Sequence, residues 1–150
     1  MGGDATTNGN GKGKAGCFGC SPENARGLAL VFARDGDTVV ASTRIQSAFE
    51  GYEGLVHGGV VATLLDEAMG WALLELAGRY GVTRTLKVDY RRPVTVQREL
   101  TISARITGGD GVRSIVIEAG VRDERGRLLA SAVGDWVPVR SGRVRPGTRA

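Results

Sequence analysis

One long stretch with helical rather than strand periodicity, residues 58–78, constrains the fold of this chain more than any other feature. Its apolar residues recur at steps of three and four: Val61, Leu64, Leu65, Ala68, Ala72 and Leu76. Arg79 lies in the last turn, and Gly78 or Gly81 can end the helix. Because this helix is apolar on almost every side, we expect it to be buried, and the rest of the chain must surround it.

Runs with extended character flank this helix in the sequence. Two precede it and four follow it: residues 28–34, 38–45, 83–90, 100–106, 112–121 and 128–139. The first two are separated by Asp35, Gly36 and Asp37, which is a hairpin signal. The later loops are short and contain glycine, which favours antiparallel neighbours. The pattern predicts an α+β fold, an antiparallel sheet of about six strands wrapped around one long central helix.

The net charge of the chain resides at its two ends. The formal charge is +4, but residues 17–139 hold 14 basic and 15 acidic groups. A nucleic-acid-binding protein would be expected to carry its basic groups on the folded part with aromatic platforms, and aromatics are only 5% of this chain. No apolar run approaches the ~20 residues that span a bilayer. We therefore expect neither nucleic acid nor a membrane as a partner.

Composition also predicts the domain organisation. Residues 1–16 hold six of the 24 glycines, and residues 140–150 are rich in arginine. Such segments cannot bury enough apolar area to offset the entropy of ordering, so both are predicted to be flexible tails. Residues 17–139 are predicted to form one domain, since a second core is not expected at this size. The N-terminus shows no apolar export signal, which predicts a cytoplasmic protein.

Two carboxylates, Asp66 and Glu67, interrupt the apolar helix. Their apolar neighbours leave little polar face, so a carboxylate here is expected to be partly desolvated, as functional groups often are. The alternative is that both side chains point to solvent or to a partner chain.

The helix starts with the sequence His57-Gly58-Gly59. Two glycines leave the amides of the first turn uncovered at the positive end of the helix dipole. A carbonyl oxygen that develops negative charge could be held there. The alternative is a plain helix start that uses glycine for its backbone freedom.

The spacing of these groups limits how they can act together. Gly58 and Asp66 are eight residues apart, about 12 Å along a helix at ~1.5 Å per residue. That is too far for an amide and a carboxylate of one chain to meet at one carbonyl carbon. Two helices packed antiparallel across a twofold axis would bring Gly58 of one chain near Asp66 of the other, giving two equivalent sites per dimer.

The string HGGVVATLLDEAMGWA, followed by VTRTLKVDYRRPV, resembles the hotdog-fold acyl-CoA thioesterases of the phenylacetate-degradation and thioesterase-superfamily-member type, within the 4-hydroxybenzoyl-CoA thioesterase superfamily. The leading CFGCSPENARGLAL is similar to the N-terminal segment of one branch of these proteins. The resemblance covers roughly residues 17–139. It implies hydrolysis of an acyl-CoA to a free acid and CoA at a dimer interface, in a homodimer or a dimer of dimers.

The resemblance also implies roles for individual residues. Asp66 would be the nucleophile or the general base toward the thioester, and both roles stay open. The Gly58 amide would bind the thioester oxygen, and His57 would shape the loop or form a nearby hydrogen bond. Thr83 would orient the water or the carboxylate, with Thr85, on the same face of the strand, as the alternative. Such a set can hydrolyse a thioester without help, so we expect no metal and no cofactor.

Further residues are candidates for contacts with the substrate and with the phosphates of CoA: Gly59, Thr85, Tyr90, Arg91, Arg92 and Arg113. The three arginines, at predicted strand ends, could equally be ordinary solvated charges. One departure from the family is Gly51, which stands where some relatives carry an asparagine six residues before the histidine. Any role of that asparagine must be absent here or served by another group.

Other interpretations of the sequence stay open. Cys17 and Cys20 form a C-x-x-C pair, but a zinc site needs four ligands, so a metal would have to bridge two chains. A redox dithiol is expected at a helix start after a strand, so we interpret the pair as reduced thiols in a turn. For the whole protein, the alternatives to a thioesterase are a hotdog hydratase or dehydratase and a non-catalytic acyl-CoA-binding module.

Overall fold

The computed structural model describes residues 16–140, so the two predicted tails lie outside the described residues except for Gly16 and Arg140. The described part holds six strands and one α-helix: β1 (Ala33–Asp35), β2 (Thr38–Arg44), α1 (Gly58–Ala77), β3 (Tyr80–Tyr90), β4 (Glu99–Gly109), β5 (Ile115–Asp123) and β6 (Leu128–Val139). A short 3-10 turn, Ser47–Phe49, lies between β2 and α1. No helix in this range has the length and apolar character needed to cross a bilayer.

The six strands form one antiparallel sheet in the order β1-β2-β4-β5-β6-β3. Helix α1 packs against strands β2 to β6. Its own fully buried residues include Leu64, Leu65, Met69 and Trp71. The sheet covers them with buried residues of β4, β5 and β6, among them Leu100, Ile102, Ile117, Val121, Ala130 and Ala132. This is the α+β hotdog arrangement predicted from the sequence, and the prediction is confirmed.

Helix α1 begins at Gly58, as predicted, and ends at Ala77, one residue before the predicted end. Gly78 follows in the left-handed conformation, with φ of 65°, and its N–H reaches the carbonyl oxygens of Leu73 and Leu74. A residue with a Cβ adopts this conformation only at a cost, which explains why glycine ends the helix here.

The prediction of a strand over residues 28–34 is wrong in extent, since pairing with β2 begins only at Ala33. Leu28, Leu30 and Phe32 are buried and alternate with exposed residues, which imitates a strand. Ala29, however, has φ of 48°, which breaks the extended conformation. The amides of Leu28 and Leu30 bond to the carbonyl oxygens of residues 18 and 19, so the segment folds back on the N-terminal turn.

Strand β5 begins at Ile115, so the predicted start at residue 112 is also wrong. The Asp110 Oδ1 atom accepts hydrogen bonds from the amides of Val112, Arg113 and Ser114 at 2.7–3.0 Å, which turns residues 110–114 into a loop. The same bonds, the one from Arg113 first, hold the pKa of the Asp110 carboxyl below its ordinary value.

Phe32 attaches the N-terminal segment to the helix, because its ring stacks on Trp71 with a centroid distance of 6.3 Å. The substitution Phe32→Leu should remove this stacking and leave part of the space occupied by the Phe32 ring unfilled. We expect the free energy of unfolding to fall by about 1–2 kcal/mol, measured by urea unfolding. Val31→Ala is the matched control, since Val31 is 58% exposed. A comparable loss of stability in the control would contradict the conclusion that Phe32 attaches the N-terminal segment to the helix.

Candidate active site

A cleft of about 660 Å³ opens over the start of helix α1. Its walls come from the loop before the helix, the first helical turns, and the segment after β3. Five residues predicted from the sequence line it: His57, Gly58, Tyr90, Arg91 and Arg92. The remaining walls are mostly apolar and include Leu55, Val56, Val61, Pro93 and Val94. The fold therefore gathers the predicted oxygen-binding loop and two of the predicted phosphate contacts in one place.

His57 caps the helix, and its Nδ1 atom accepts the hydrogen bond of the Gly59 amide at 2.9 Å. The expectation that both glycine amides are uncovered is therefore wrong for Gly59. Among the described residues, nothing accepts a hydrogen bond from the Gly58 amide, which lies in the wall of the cleft. Because Nδ1 accepts, the proton of a neutral His57 ring resides on Nε2.

Gly51 lies directly against this histidine. A Cβ at position 51 would be 3.3 Å from the His57 Cδ2 atom, so a larger side chain would press on the ring. At the position of the family's asparagine, this chain therefore offers close packing in place of a polar side chain.

Tyr90 fixes the first helical turn from the other wall of the cleft. Its hydroxyl donates a hydrogen bond of 2.8 Å to the carbonyl oxygen of Gly58. Arg91 and Arg92 follow directly, and both backbone amides bond to the carbonyl oxygen of Leu129 at 2.9 Å. Their side chains are exposed at the cleft, where positive charge is available to an anionic ligand.

The carboxylate of Asp66 is half-buried in the middle of α1, outside the cleft lining. The Thr83 hydroxyl, on β3, donates a hydrogen bond of 2.6 Å to its Oδ1 atom. The structure thus brings together the two residues that the resemblance links as a carboxylate and its orienting hydroxyl.

A β-bulge separates Thr83 from Thr85. Thr83 pairs with Trp136, whereas Thr85 pairs with Asp135, the preceding residue of β6. Neighbouring residues of a strand point to opposite faces, so Thr83 faces the helix and Thr85 faces away from it. The expectation that Thr85 shares the face of Thr83 is wrong for this reason.

The extra residue of the bulge is Arg84, and it forms an ion pair with Asp135 on the outer face. The Ser114 hydroxyl also donates to Asp135, at 2.6 Å. The Ser114 hydroxyl first, and then Arg84, hold the pKa of the Asp135 carboxyl below its ordinary value. This outer network stabilises the bulge.

Arg113 lies in the exposed loop between β4 and β5. Arg79, which follows directly after the end of α1, contacts the same loop. Its guanidinium donates a hydrogen bond of 3.0 Å to the carbonyl oxygen of Gly111. Arg113 is therefore at the opposite end of the helix from Arg91 and Arg92, and a single chain does not bring the three together.

One chain thus holds two separated halves of the predicted site. The Gly58 amide and the Asp66 carboxylate stand on the same helix, about 12 Å apart along its axis at ~1.5 Å per residue. Strand β3, which carries Thr83, is the last strand of the sheet, and within the described residues its outer edge pairs with nothing.

A third group of side chains could be recognised only in part from the sequence, which shows the two cysteines but not their contact with a carboxylate. Cys17 and Cys20 lie in the predicted turn, which is closed by a hydrogen bond from the Ser21 amide to the Cys17 carbonyl oxygen, and the Glu67 carboxylate of α1 contacts the Cys17 sulfur. The hydrogen bond from the Cys20 side chain lowers the pKa of Cys17 to about 6, against the opposing effects of burial and of Glu67. This contact could not be predicted from the sequence because Cys17 and Glu67 are 50 residues apart.

A sheet wrapped around one helix, with a cleft over the helix start, defines a hotdog protein. The sequence profile of the thioesterase superfamily matches residues 53–130. The chain belongs to this superfamily, as the resemblance predicted.

Curated relatives cover part of the chain. A candidate esterase of Saccharolobus solfataricus is 33% identical over 88 residues, which are 58% of this chain and 57% of that protein. An acyl-coenzyme A thioesterase of Bos taurus, THEM4, is 30% identical over 90 residues, 59% of this chain and 35% of that protein. The chain thus spans less than two thirds of the length of either relative.

Solved structures share the fold. The thioesterase superfamily protein RHA08564 superposes with a TM-score of 0.73 at 32% identity, over 79% of this chain and 58% of that chain. A hypothetical thioesterase of Streptococcus pneumoniae, crystallised with coenzyme A, gives a TM-score of 0.65 at 27% identity, over 71% of this chain and 83% of that chain.

Proposed function

We propose that this protein hydrolyses an acyl-CoA thioester to a free acid and CoA. The observation that carries the proposal is the half-buried carboxylate of Asp66 on a largely apolar helix, where the Thr83 hydroxyl donates a hydrogen bond of 2.6 Å to it. Membership of the thioesterase superfamily supports it, as do the names of two relatives, a bovine acyl-CoA thioesterase and a streptococcal protein with bound coenzyme A.

In the proposed reaction the thioester carbonyl oxygen binds to the Gly58 amide at the positive end of α1. This amide and the helix dipole would stabilise the negative charge that develops on the oxygen. Asp66 either attacks the carbonyl carbon or removes a proton from a water molecule that attacks it. Attack by water breaks the carbon–sulfur bond and gives the free acid and CoA directly. Attack by Asp66 breaks the same bond and releases CoA, and water then hydrolyses the acyl–aspartate anhydride that remains.

Three side chains prepare these groups. The Thr83 hydroxyl fixes the orientation of the Asp66 carboxylate. His57 holds the Gly59 amide, and Tyr90 holds the Gly58 carbonyl oxygen, so the peptide groups around the Gly58 donor are fixed before substrate binds. A donor that is already positioned costs no reorganisation during the reaction.

We propose that the complete site needs two chains. The distance of about 12 Å along α1 separates the Gly58 donor from the Asp66 carboxylate of the same chain. A twofold axis that sets two copies of α1 antiparallel would pair each donor with the carboxylate of the other chain. We propose the outer edge of β3, which pairs with no strand among the described residues, as the contact surface of the homodimer; a dimer of dimers would use a second surface.

The phosphates of CoA would bind at the cleft, where Arg91 and Arg92 expose their guanidinium groups. Arg113 stands at the other end of α1, so in an antiparallel dimer it would approach the cleft of the second chain. We propose that the protein acts on cytoplasmic acyl-CoA.

The test is thioester hydrolysis by the full chain, with a panel of aliphatic and aromatic acyl-CoAs. We expect at least one of them to yield CoA and the free acid. The reaction is measured by the loss of the thioester absorbance, because a thiol-specific dye would also react with the partly exposed Cys17. Binding of every acyl-CoA with the thioester intact would identify a binding module instead. Hydration of an enoyl-CoA without release of CoA would identify a hydratase.

A further inference from the structure

The thiol–carboxylate cluster, which consists of Cys17, Cys20 and Glu67, has the geometry of a metal site. One ligand atom from each residue lies within 4.8 Å of the other two. The Glu67 oxygens are 3.8 and 3.9 Å from the Cys17 sulfur. Cys20 is only 3% exposed, while Cys17 and Glu67 are half-buried, so the cluster is shielded on one side and reachable from the other.

The distances from the Cys17 sulfur to the Glu67 oxygens are close to those of a tetrahedral zinc centre. With bonds of about 2.3 Å to sulfur and about 2.0 Å to oxygen, tetrahedral angles separate a sulfur from an oxygen by about 3.5 Å and two sulfurs by about 3.8 Å. The C-x-x-C spacing is common among the cysteine ligands of zinc. Thiolate ligands also favour zinc over magnesium or calcium, which prefer oxygen alone.

Two neighbours keep the Glu67 carboxylate against the cysteines. The Trp71 indole N–H, one turn along the helix, donates to the Glu67 Oε1 atom at 3.2 Å. Outer hydrogen bonds of this kind orient metal ligands. Gly19, between the two cysteines, lies under the carboxylate, and a Cβ there would overlap its carboxyl group. A glycine at this position is what allows the carboxylate to approach the two sulfurs.

We infer that Cys17, Cys20 and Glu67 bind one zinc ion per chain. A water molecule is the fourth ligand, on the side where Cys17 is partly exposed, so with Glu67 as the third the site needs no second chain. The metal ties the turn at residues 17–20 to helix α1 and thereby anchors the N-terminal segment to the core. This role is structural and does not depend on the proposed thioester hydrolysis.

A disulfide between the two cysteines is the competing interpretation. It would use Cys17 and Cys20 but would give no role to the Glu67 carboxylate, to its Trp71 donor, or to the bare backbone of Gly19. The metal site uses all of them.

The experiment is titration of the reduced full chain with Co²⁺, followed by displacement with Zn²⁺. We expect a thiolate-to-cobalt charge-transfer band and tetrahedral d–d bands that saturate at one ion per chain, and a rise in Tm when zinc is added. Cys17→Ser and Cys20→Ser should each weaken binding at least about 100-fold, and Glu67→Gln at least about tenfold.

Gly19→Ala is a second, independent variant, because it keeps all three ligands but pushes the carboxylate away. It should weaken binding as Glu67→Gln does. Glu75→Gln, the same chemical change two turns along the helix, should leave the cobalt spectrum and the affinity unchanged. Circular dichroism checks that each variant is folded.

Three results would overturn the inference. One is the absence of saturable cobalt binding by folded, reduced protein. Another is half an ion per chain with no effect of Glu67→Gln, which would indicate four cysteines of two chains around one metal. The third is rapid formation of a Cys17–Cys20 disulfide in air that zinc does not slow, which would indicate a redox pair.

Discussion

Asp66→Asn is expected to lower turnover of the best acyl-CoA substrate by at least about 100-fold. Asparagine has nearly the size of aspartate and can still accept the hydrogen bond of the Thr83 hydroxyl, so the fold around position 66 should persist. It can neither take up a proton nor attack a carbonyl carbon. The measurement is kcat by loss of the thioester absorbance, together with the circular dichroism spectrum.

Glu75→Gln is the matched control for this prediction. It makes the same change, from carboxylate to amide, on the same helix but away from Thr83 and from the cleft. Its turnover should stay within about twofold of the unmodified chain. Near-normal turnover by Asp66→Asn would remove Asp66 from the mechanism, and with it the observation that carries the proposed function.

Gly58→Pro is expected to lower turnover by about 100- to 1000-fold, the range seen when one donor to a developing oxyanion is lost. Proline removes the amide hydrogen at the first residue of α1, where no intrahelical bond uses it. The backbone before it accepts proline, since His57 has φ of −56° and ψ of 135°. Gly58→Ala keeps the N–H, and its Cβ would make an ordinary contact of 3.7 Å with Tyr90, so its turnover should exceed that of Gly58→Pro at least about tenfold.

Mixing the two inactive chains tests whether the site is shared. A dimer of one Asp66→Asn chain and one Gly58→Pro chain has one site with both changes and one site with neither. Random re-pairing of equal amounts should therefore restore about a quarter of the turnover of the unmodified dimer. Sedimentation of the same mixture verifies the dimer. No recovery of activity after re-pairing would contradict a site built from two chains. Full activity of the unmodified chain under conditions where it sediments as a monomer would contradict it as well.

The fold was accessible from the sequence because each of its strongest signals is local. The helical spacing of residues 58–78 and its glycine stop set α1 correctly to within one residue. The strand start at Ala33 was not accessible, since alternating burial reports which side chains face the core and not which backbone groups pair. The left-handed conformation of Ala29 interrupts the extended segment before the pairing begins at Ala33.

The predicted site was less accessible, because its details depend on contacts that spacing does not encode. The Thr83 contact with Asp66 agrees with the resemblance, whereas the position of Thr85 depended on a bulge that only pairing with β6 reveals. The capture of the Gly59 amide by His57 depends on one side-chain rotamer. Glu67 joins Cys17 and Cys20 only after folding has brought distant segments together.

The bulge at Arg84 also explains how two residues of β3, Thr83 and Tyr90, can both face the helix. Thr83 and Tyr90 are seven residues apart, an odd number, yet Thr83 contacts the helix at Asp66 and Tyr90 contacts it at Gly58. In a strand that alternates strictly, residues an odd number apart point to opposite faces, so only one of these contacts could form. One inserted residue thus lets a single strand contact both the carboxylate and the oxygen-binding turn. Deleting it would turn one of the two hydroxyl groups away from the helix, so the number of residues in this strand matters to the site as much as the hydroxyl groups do.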